Sequence, residues 1–381
     1  MRLAFLLYKY FPYGGMQRDF LQFVQALQGR GHEARVYCFT WQGEHAPHID
    51  LRLVPQVSGS SRRRGERYLQ WVSKDLSADP VDGVVGFNKM PGLDVYFAAD
   101  PCYLAKAMND RGRLYRRGGR FRHFAAYERA VFDPASATRI LLISATEQRK
   151  FERYYHTPPD RMHLLPPGVS ASSRRPPDAA RRRAAVRGDL QVRSGELVLL
   201  FVGSGYITKG LDRAIRSLAS VRAAQPQQAV RLLVVGQDKG RRFARLGRKL
   251  GVSECLHFLG GRDDVPDLML AADLLVHPAL TEAAGIVLLE ALVAGLPVVV
   301  TDVCGYAHHI AAAGAGIVLP SPFSQSLLDK AVLRNIDGVY RAECRHSALQ
   351  YAATADLYSM HSAGARLIEN IIAAKLGGAG A

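Results

Sequence analysis

Leu3-Ala4-Phe5-Leu6-Leu7-Tyr8, then Met16 to Arg30, then Ala34-Arg35-Val36-Tyr37-Cys38-Phe39 form an apolar run, a periodic segment and a second apolar run. In the middle segment Phe20, Phe23, Val24 and Leu27 recur at helical spacing, and Gly29 and Gly31 mark its stop. Short apolar runs bounded by turn residues read as strands, and a three-four spacing reads as one buried helix face. Strand, helix and strand at this separation pair in parallel, so the N-terminal part of the chain is expected to be an α/β sheet wound by crossovers.

The alternation continues outward. Val81 to Phe87, Val95 to Ala99 and Arg139 to Ile143 are further strand candidates. Around Pro166-Pro167-Gly168 the pattern breaks, and Ser170 to Arg187, rich in Ser, Pro and Arg, reads as an exposed connection carrying a hinge. A second alternating series follows at Leu197 to Val202, Arg231 to Val235, Leu256 to Leu259, Leu274 to His277, Pro297 to Thr301 and Ile317 to Leu319. These patterns imply two doubly wound parallel-sheet domains, residues 1–168 and 169–356, facing a central cleft. A last helical segment at 357–375 is expected to complete the first, and Gly377 to Ala381 is expected to be a frayed tail.

A chain of 381 residues with 48% hydrophobic and 22% charged residues has room for two cores and is not composed like a disordered or fibrous protein. The five cysteines, Cys38, Cys102, Cys255, Cys304 and Cys344, form no Cys-x-x-Cys pair, which disfavours a disulfide framework or a zinc site and fits a reducing cytoplasm. No apolar run reaches 18 residues, and the first apolar stretch is too short for a signal peptide. The formal charge of +16 implies an anionic partner: nucleic acid, an anionic membrane or a phosphorylated substrate.

Three segments carry candidate chemistry. In Glu282-Ala283-Ala284-Gly285-Ile286-Val287-Leu288-Leu289-Glu290 two glutamates flank a loop that turns into a helix near Gly285. The free N–H groups and positive dipole end of such a helix favour a phosphate, and the carboxylates could accept hydrogen bonds from ribose and sugar hydroxyls. A surface glutamate followed by a helical one would read the same way. In Phe11-Pro12-Tyr13-Gly14-Gly15-Met16 paired glycines open the first helix, allowing either close backbone approach to a ligand or an ordinary β–α turn. Val202-Gly203-Ser204-Gly205-Tyr206-Ile207-Thr208-Lys209-Gly210 delivers a lysine from a glycine-rich turn, suited to a departing diphosphate or to solvent. Neither the dinucleotide fingerprint nor the P-loop pattern is present, and no Asp-x-Asp pair offers itself to a metal.

Taken in order, these segments resemble glycosyltransferase family 4, whose Glu-x7-Glu element is matched by Glu282 and Glu290. Tyr8 to Phe20, Gly86-Phe87-Asn88-Lys89-Met90-Pro91-Gly92-Leu93-Asp94 and Cys304-Gly305-Tyr306-Ala307-His308 resemble the branch that glucosylates the lipopolysaccharide inner core, so the likeness covers nearly the whole chain. The resemblance implies a GT-B fold and a retaining hexosyltransferase that moves glucose from UDP-glucose to heptose I in α-1,3 linkage, without a metal or cofactor. It implies donor contacts from Gly14, Gly15, Lys209, Arg174, Glu282, Ala284, Gly285, Ile286 and Glu290, with Asp19, Asp100 and Glu282 at the reaction centre. It departs from the pattern at Ser204, where the family often has Arg, and at Thr208, where near relatives have Arg; the stretch Ser172 to Arg175 is expected to assist Lys209.

Tyr103 to Phe132 carries Lys106, Arg111, Arg113, Arg116, Arg117, Arg120, Arg122 and Arg129 against Asp110 and Glu128, interleaved with six aromatics. That composition suits docking on the anionic inner face of the cytoplasmic membrane, where a lipid-linked acceptor resides; a solvated basic loop is the plainer reading. Other readings are a family 4 enzyme using UDP-galactose or a UDP-N-acetylhexosamine, and a non-catalytic nucleotide-sugar or lipopolysaccharide binder. Nucleic-acid binding has only the clusters Arg62-Arg63-Arg64 and Arg181-Arg182-Arg183 for support, with no reading helix or base-stacking platform.

Overall fold

A computed structural model describes residues 1–378 apart from Tyr13, 45–47, Val57 and 171–172, and at Asp110 the backbone alone. The expectations for Tyr13, Ser172, the Asp110 side chain and the tail beyond 378 therefore lie outside the described residues. The chain divides into two compact units, 1–168 with 359–381, and 169–358.

The first unit is built on seven strands: β1 (Arg2–Leu6), β2 (Glu33–Cys38), β3 (Ile49–Leu53), β4 (Gly83–Gly86), β5 (Val95–Ala98), β6 (Arg139–Leu142) and β7 (Met162–Leu164). All pair in parallel, in the order β3-β2-β1-β4-β5-β6-β7. The two edge strands, β3 and β7, are additions to the sequence reading. The second unit holds β8 (Leu197–Val202), β9 (Val230–Val235), β10 (Leu256–Gly260), β11 (Leu274–His277), β12 (Val298–Thr301) and β13 (Gly316–Leu319). Its order, β10-β9-β8-β11-β12-β13, repeats that of the first sheet and is again parallel.

Crossover helices cover both faces of a parallel sheet, so its central strands bury every side chain. Leu3 to Leu7 and Leu197 to Phe201 are accordingly buried throughout. The helix Gly15–Gln28 buries Phe20, Phe23, Val24 and Leu27, the stripe read from the sequence, with Phe5 edge-on to Phe20. Each such large apolar side chain stabilises its unit by roughly 1.5–3 kcal/mol. In the second unit Leu211, Ile215, Leu218 and Val221 of the helix Leu211–Ala224 pack with Leu199, Phe201 and Leu232.

One segment differs from expectation in kind, and the last helix, in the first unit as expected, differs in its bounds alone. The stretch Ser170 to Arg187 is not simply a connection, because it contains the helix Ala179–Asp189. Little apolar surface holds that helix. Instead Arg183 donates to the carbonyls of Leu270, Ala271 and Ala272 and to Asp273, and Arg187 donates to Ala271 O and Asp273. The last helix spans Met360–Gly378 and belongs to the first unit, where Gly364 lies against the Phe23 ring and Arg30 pairs with Glu369.

Candidate active site

In both sheets the strand order reverses next to the first strand, and ligands of open parallel sheets bind outside the carboxyl ends of the strands at that reversal. In the second unit the reversal lies between β8 and β11. Two loops leave it, Gly203 to Gly210 and Pro278 to Gly285; Leu280 N–H donates to Thr208 O at 2.7 Å and ties them, and from the helix after the first loop the Arg213 side chain donates through Nη1 to Pro278 O and Ala279 O at 3.1 and 3.2 Å. Lys209 folds back across Gly203, whose φ of +133° and lack of a Cβ leave room for the lysine stem.

The lysine meets Glu282. Its Nζ is hydrogen-bonded to Glu282 Oε2, while His277 Nε2, at the end of β11, lies 3.5 Å from the same oxygen. Burial works to raise the Glu282 pKa, but the adjacent imidazole and the Lys209 ammonium outweigh it and bring it down to about 2. Glu282 is thus a fixed anion at neutral pH, an acceptor of hydrogen bonds and not a proton donor. His277 is held neutral, since complete burial and the Lys209 charge oppose protonation while Glu282 favours it. The burial of His277 gives it a place in the site that a lone histidine at a strand end did not reveal in the sequence.

Past Glu282 the chain turns into the helix Ile286–Ala294 through Gly285, at φ +85°. No side chain caps this helix, so its first-turn N–H groups and positive dipole end face the end of the loop. Glu290 is buried on it. At the far end Arg175 Nη1 donates to Ala294 O at 2.6 Å, a cation where the dipole is negative. A parallel bridge between Glu282 and Cys304, with Tyr306 N–H donating to Ala284 O at 2.8 Å, brings the Cys304 to His308 segment alongside. Ser204 Oγ accepts from Gln237 N–H and Thr208 Oγ1 donates to Gly205 O, so both spend their hydroxyls on the loops and add no charge. Arg174 is exposed and sits over the Tyr358 ring at 4.4 Å; no recorded contact brings it to Lys209 or Glu282.

The reversal in the first unit falls between β1 and β4. The β1 loop is tied to the β4 loop by Tyr8 N–H donating to Asn88 Oδ1 at 2.8 Å, and it ends at Gly14 and Gly15, where a Cβ on Gly15 would meet open space. One turn into that helix, Asp19 Oδ1 is 3.0 Å from His361 Nε2 of the last helix. Asp100, exposed after β5, makes no recorded contact with Asp19. Beneath this end of β5 lies the fully buried Glu128. Its oxygens accept from Lys89 Nζ at 2.5 Å, Tyr103 N–H at 2.7 Å, Leu104 N–H at 2.8 Å and the Tyr155 hydroxyl at 2.7 Å.

Glu128 is consequently an internal anion and not one of the surface acids of the 103–132 segment. Phe132 is also internal, stacked on Phe151 at 3.6 Å. What reaches solvent from this segment is Arg111, Arg113, Arg117, Arg120, Arg122 and Arg129, around Leu114, which is 82% exposed. Lys106 and Arg116 are half-buried, with Arg116 Nη1 on the Met108 sulfur. All five cysteines are free and buried. Among the described residues no group of His, Cys, Asp or Glu could hold a metal ion, and no helix is long and apolar enough to cross a membrane.

Residues 13–173 match the family described as Glycosyltransferase Family 4, and residues 183–349 that described as Glycosyl transferases group 1. The lipopolysaccharide glucosyltransferase WaaG of Escherichia coli K12 is 45% identical over 97% of this chain and 98% of its own. The chain belongs to glycosyltransferase family 4. A crystal structure of WaaG, a glycosyltransferase involved in lipopolysaccharide biosynthesis, superposes with a TM-score of 0.92 at 44% identity, covering 96% of this chain and 99% of that one. Anabaena HepE in complex with UDP-glucose, at 19% identity and a TM-score of 0.73 over 99% and 100% of the chains, shares the fold. This family 4 enzyme is a hexosyltransferase of GT-B fold, with a large parallel α/β sheet at the centre of each unit.

Proposed function

We propose that the enzyme transfers glucose from UDP-glucose to heptose I of the lipopolysaccharide inner core, in α-1,3 linkage and with retention of anomeric configuration. The observation that carries this reading is the Lys209–Glu282 pair at the reversal of the second sheet, beside an uncapped helix start. A diphosphate placed there meets an ammonium and a positive dipole end, which stabilise the charge that develops as UDP leaves. Neutralisation by Lys209 and the helix is the metal-independent route, and it calls for no cofactor. Glu282, fixed as an anion, accepts hydrogen bonds from hydroxyls of the transferred sugar and stabilises positive charge growing at its anomeric carbon. Glu290 serves the ribose, Gly14 and Gly15 are read as further donor contacts, and Asp19 and Asp100 as residues of the reaction centre. The likeness to WaaG over nearly the full length supports the acceptor class.

The exposed arginines around Leu114 form the face that docks on the anionic inner surface of the cytoplasmic membrane. Each contributes about 1 kcal/mol near such a surface, enough together for reversible attachment. The decisive experiment is a donor screen with purified enzyme and truncated lipopolysaccharide, followed by linkage analysis. UDP-glucose giving an α-1,3 product in the presence of EDTA is the expected result; preference for UDP-galactose or a UDP-N-acetylhexosamine, an inverted product, or loss with EDTA and recovery with Mg²⁺ would overturn the corresponding part. Co-sedimentation with vesicles tests docking: changing Arg113, Arg117, Arg120 and Arg122 to Ser is expected to abolish a dependence on anionic lipid that the parent protein shows.

A further inference from the structure

His277 is fully buried, its ring lies nearly parallel to Phe201 at 6.4 Å between centroids, and neither ring nitrogen makes a hydrogen bond of ordinary length and geometry, Nε2 making only a long approach to Glu282. A buried polar nitrogen left unpaired is costly, and such a group in a native structure calls for an explanation. The geometry suggests where the bond belongs. His277 Nε2 stands 3.5 Å from Glu282 Oε2, about 0.6 Å beyond an ordinary N–H···O hydrogen bond. That same oxygen is the one Lys209 holds.

Donor binding changes this competition, on the reading of Lys209 as the diphosphate ligand. Once the ammonium turns to the phosphates, Glu282 loses its cationic partner while its carboxylate stays mostly buried, and it needs a closer second donor to remain ionised and oriented. We propose that His277 is a positioning residue: with donor bound, its Nε2–H donates to Glu282 Oε2 and holds the carboxylate toward the transferred sugar. Lys209 occupies Glu282 when the site is empty, and His277 takes it over when the site is filled. The imidazole acts neutral, as burial requires, so the exchange moves no proton. Every charged group recorded against it, Glu282 on the following loop and Lys209 on the loop after β8, belongs to this exchange.

The test compares His277→Phe, which keeps a flat ring on Phe201 but offers no donor, with His277→Gln, whose amide N–H sits near the position of Nε2. Hydrogen bonds to charged groups in such sites are strong enough that kcat for glucosyl transfer is expected to fall about ten-fold or more in His277→Phe and to recover to within about three-fold in His277→Gln. Affinity for UDP alone, measured by calorimetry, is expected to stay within about two-fold in both, because UDP lacks the sugar that Glu282 addresses. Wild-type kcat in His277→Phe, or equal losses in two variants that melt like the parent, overturns the proposal. If His277→Phe does not fold, ¹⁵N spectra of the parent decide: a protonated Nε2 resonance shifted downfield by UDP-glucose supports the exchange, and an unmoved one refutes it. Failure of the parent to bind UDP-glucose, with Lys209→Ala leaving UDP affinity unaltered, would instead remove the donor-site reading and this inference with it.

Discussion

In the first unit the loops at the sheet reversal meet through a backbone N–H and the amide oxygen of Asn88; in the second, the corresponding loops meet through an ammonium and a carboxylate. The strand orders agree but for the extra edge strand β7 of the first sheet, so topology places a crevice in each and the side chains decide what each can take. In the first unit the internal charges Glu128 and Lys89 are spent on bracing the backbone after β5. The second sets Lys209 and Glu282 in the loops themselves, where a ligand can compete for them. A charged, exchangeable pair suits a nucleotide diphosphate, and carboxylates such as Asp19, which accept hydrogen bonds, suit a polyhydroxylated ligand.

Four changes would break or sharpen that contrast. Glu128→Ala strands one buried ammonium and three further donors; removing one partner of a buried pair costs about 3–5 kcal/mol, so the first unit should melt far earlier while the second still binds UDP. Undiminished stability would show that Glu128 braces nothing. Glu282→Ala should lower kcat about 10²- to 10³-fold, in the range seen when one group stabilising a transition state is removed, with UDP affinity changed only a few-fold. A loss in UDP affinity as large as the loss in kcat would instead mark Glu282 as a nucleotide ligand.

The depressed Glu282 pKa has a pH consequence. The group's ordinary value is 4.5 and its folded value about 2, so its contribution is present above pH 4.5 and lost as pH falls toward 2. With the side chain only 17% exposed, that contribution is on the order of 3 kcal/mol. Denaturation of the parent and of Glu282→Gln should therefore converge as pH falls through that window, and a constant gap would contradict the assignment. Lys209→Ala, last in size, should weaken UDP binding about ten-fold, measured by calorimetry at fixed salt.

The central strands of both sheets were legible because they are buried on both faces and read as unbroken apolar runs. The edges were not. In β3 the strand Ile49–Leu53 carries Asp50 and Arg52, engaged with Arg35 and with each other, and β7 is three residues long. The helix Ala179–Asp189 escaped for a related reason: arginine-to-carbonyl bonds hold it, and they leave no apolar period to read. In the candidate site, Glu282, Glu290 and Lys209 stood out by spacing and by their glycine-rich surroundings. His277 did not, since its significance comes from burial and from the 3.5 Å approach to Glu282, neither of which a linear pattern encodes.

The packing of the helix Met360–Gly378 into the first unit fixes an order of assembly during synthesis. Residues 169–358 contain everything the second unit needs, whereas the first unit lacks the partner of Phe23, Arg30, Asp94 and Asp19 until the chain has been made past residue 375. At about 5–20 residues per second, the roughly 200 residues that intervene take on the order of ten to forty seconds. For that interval the helix Gly15–Gln28 waits with part of its apolar face uncovered while the second unit folds. The part of the enzyme translated first is completed last, and a ribosome stalled before residue 360 would release a chain whose first unit lacks its closing helix.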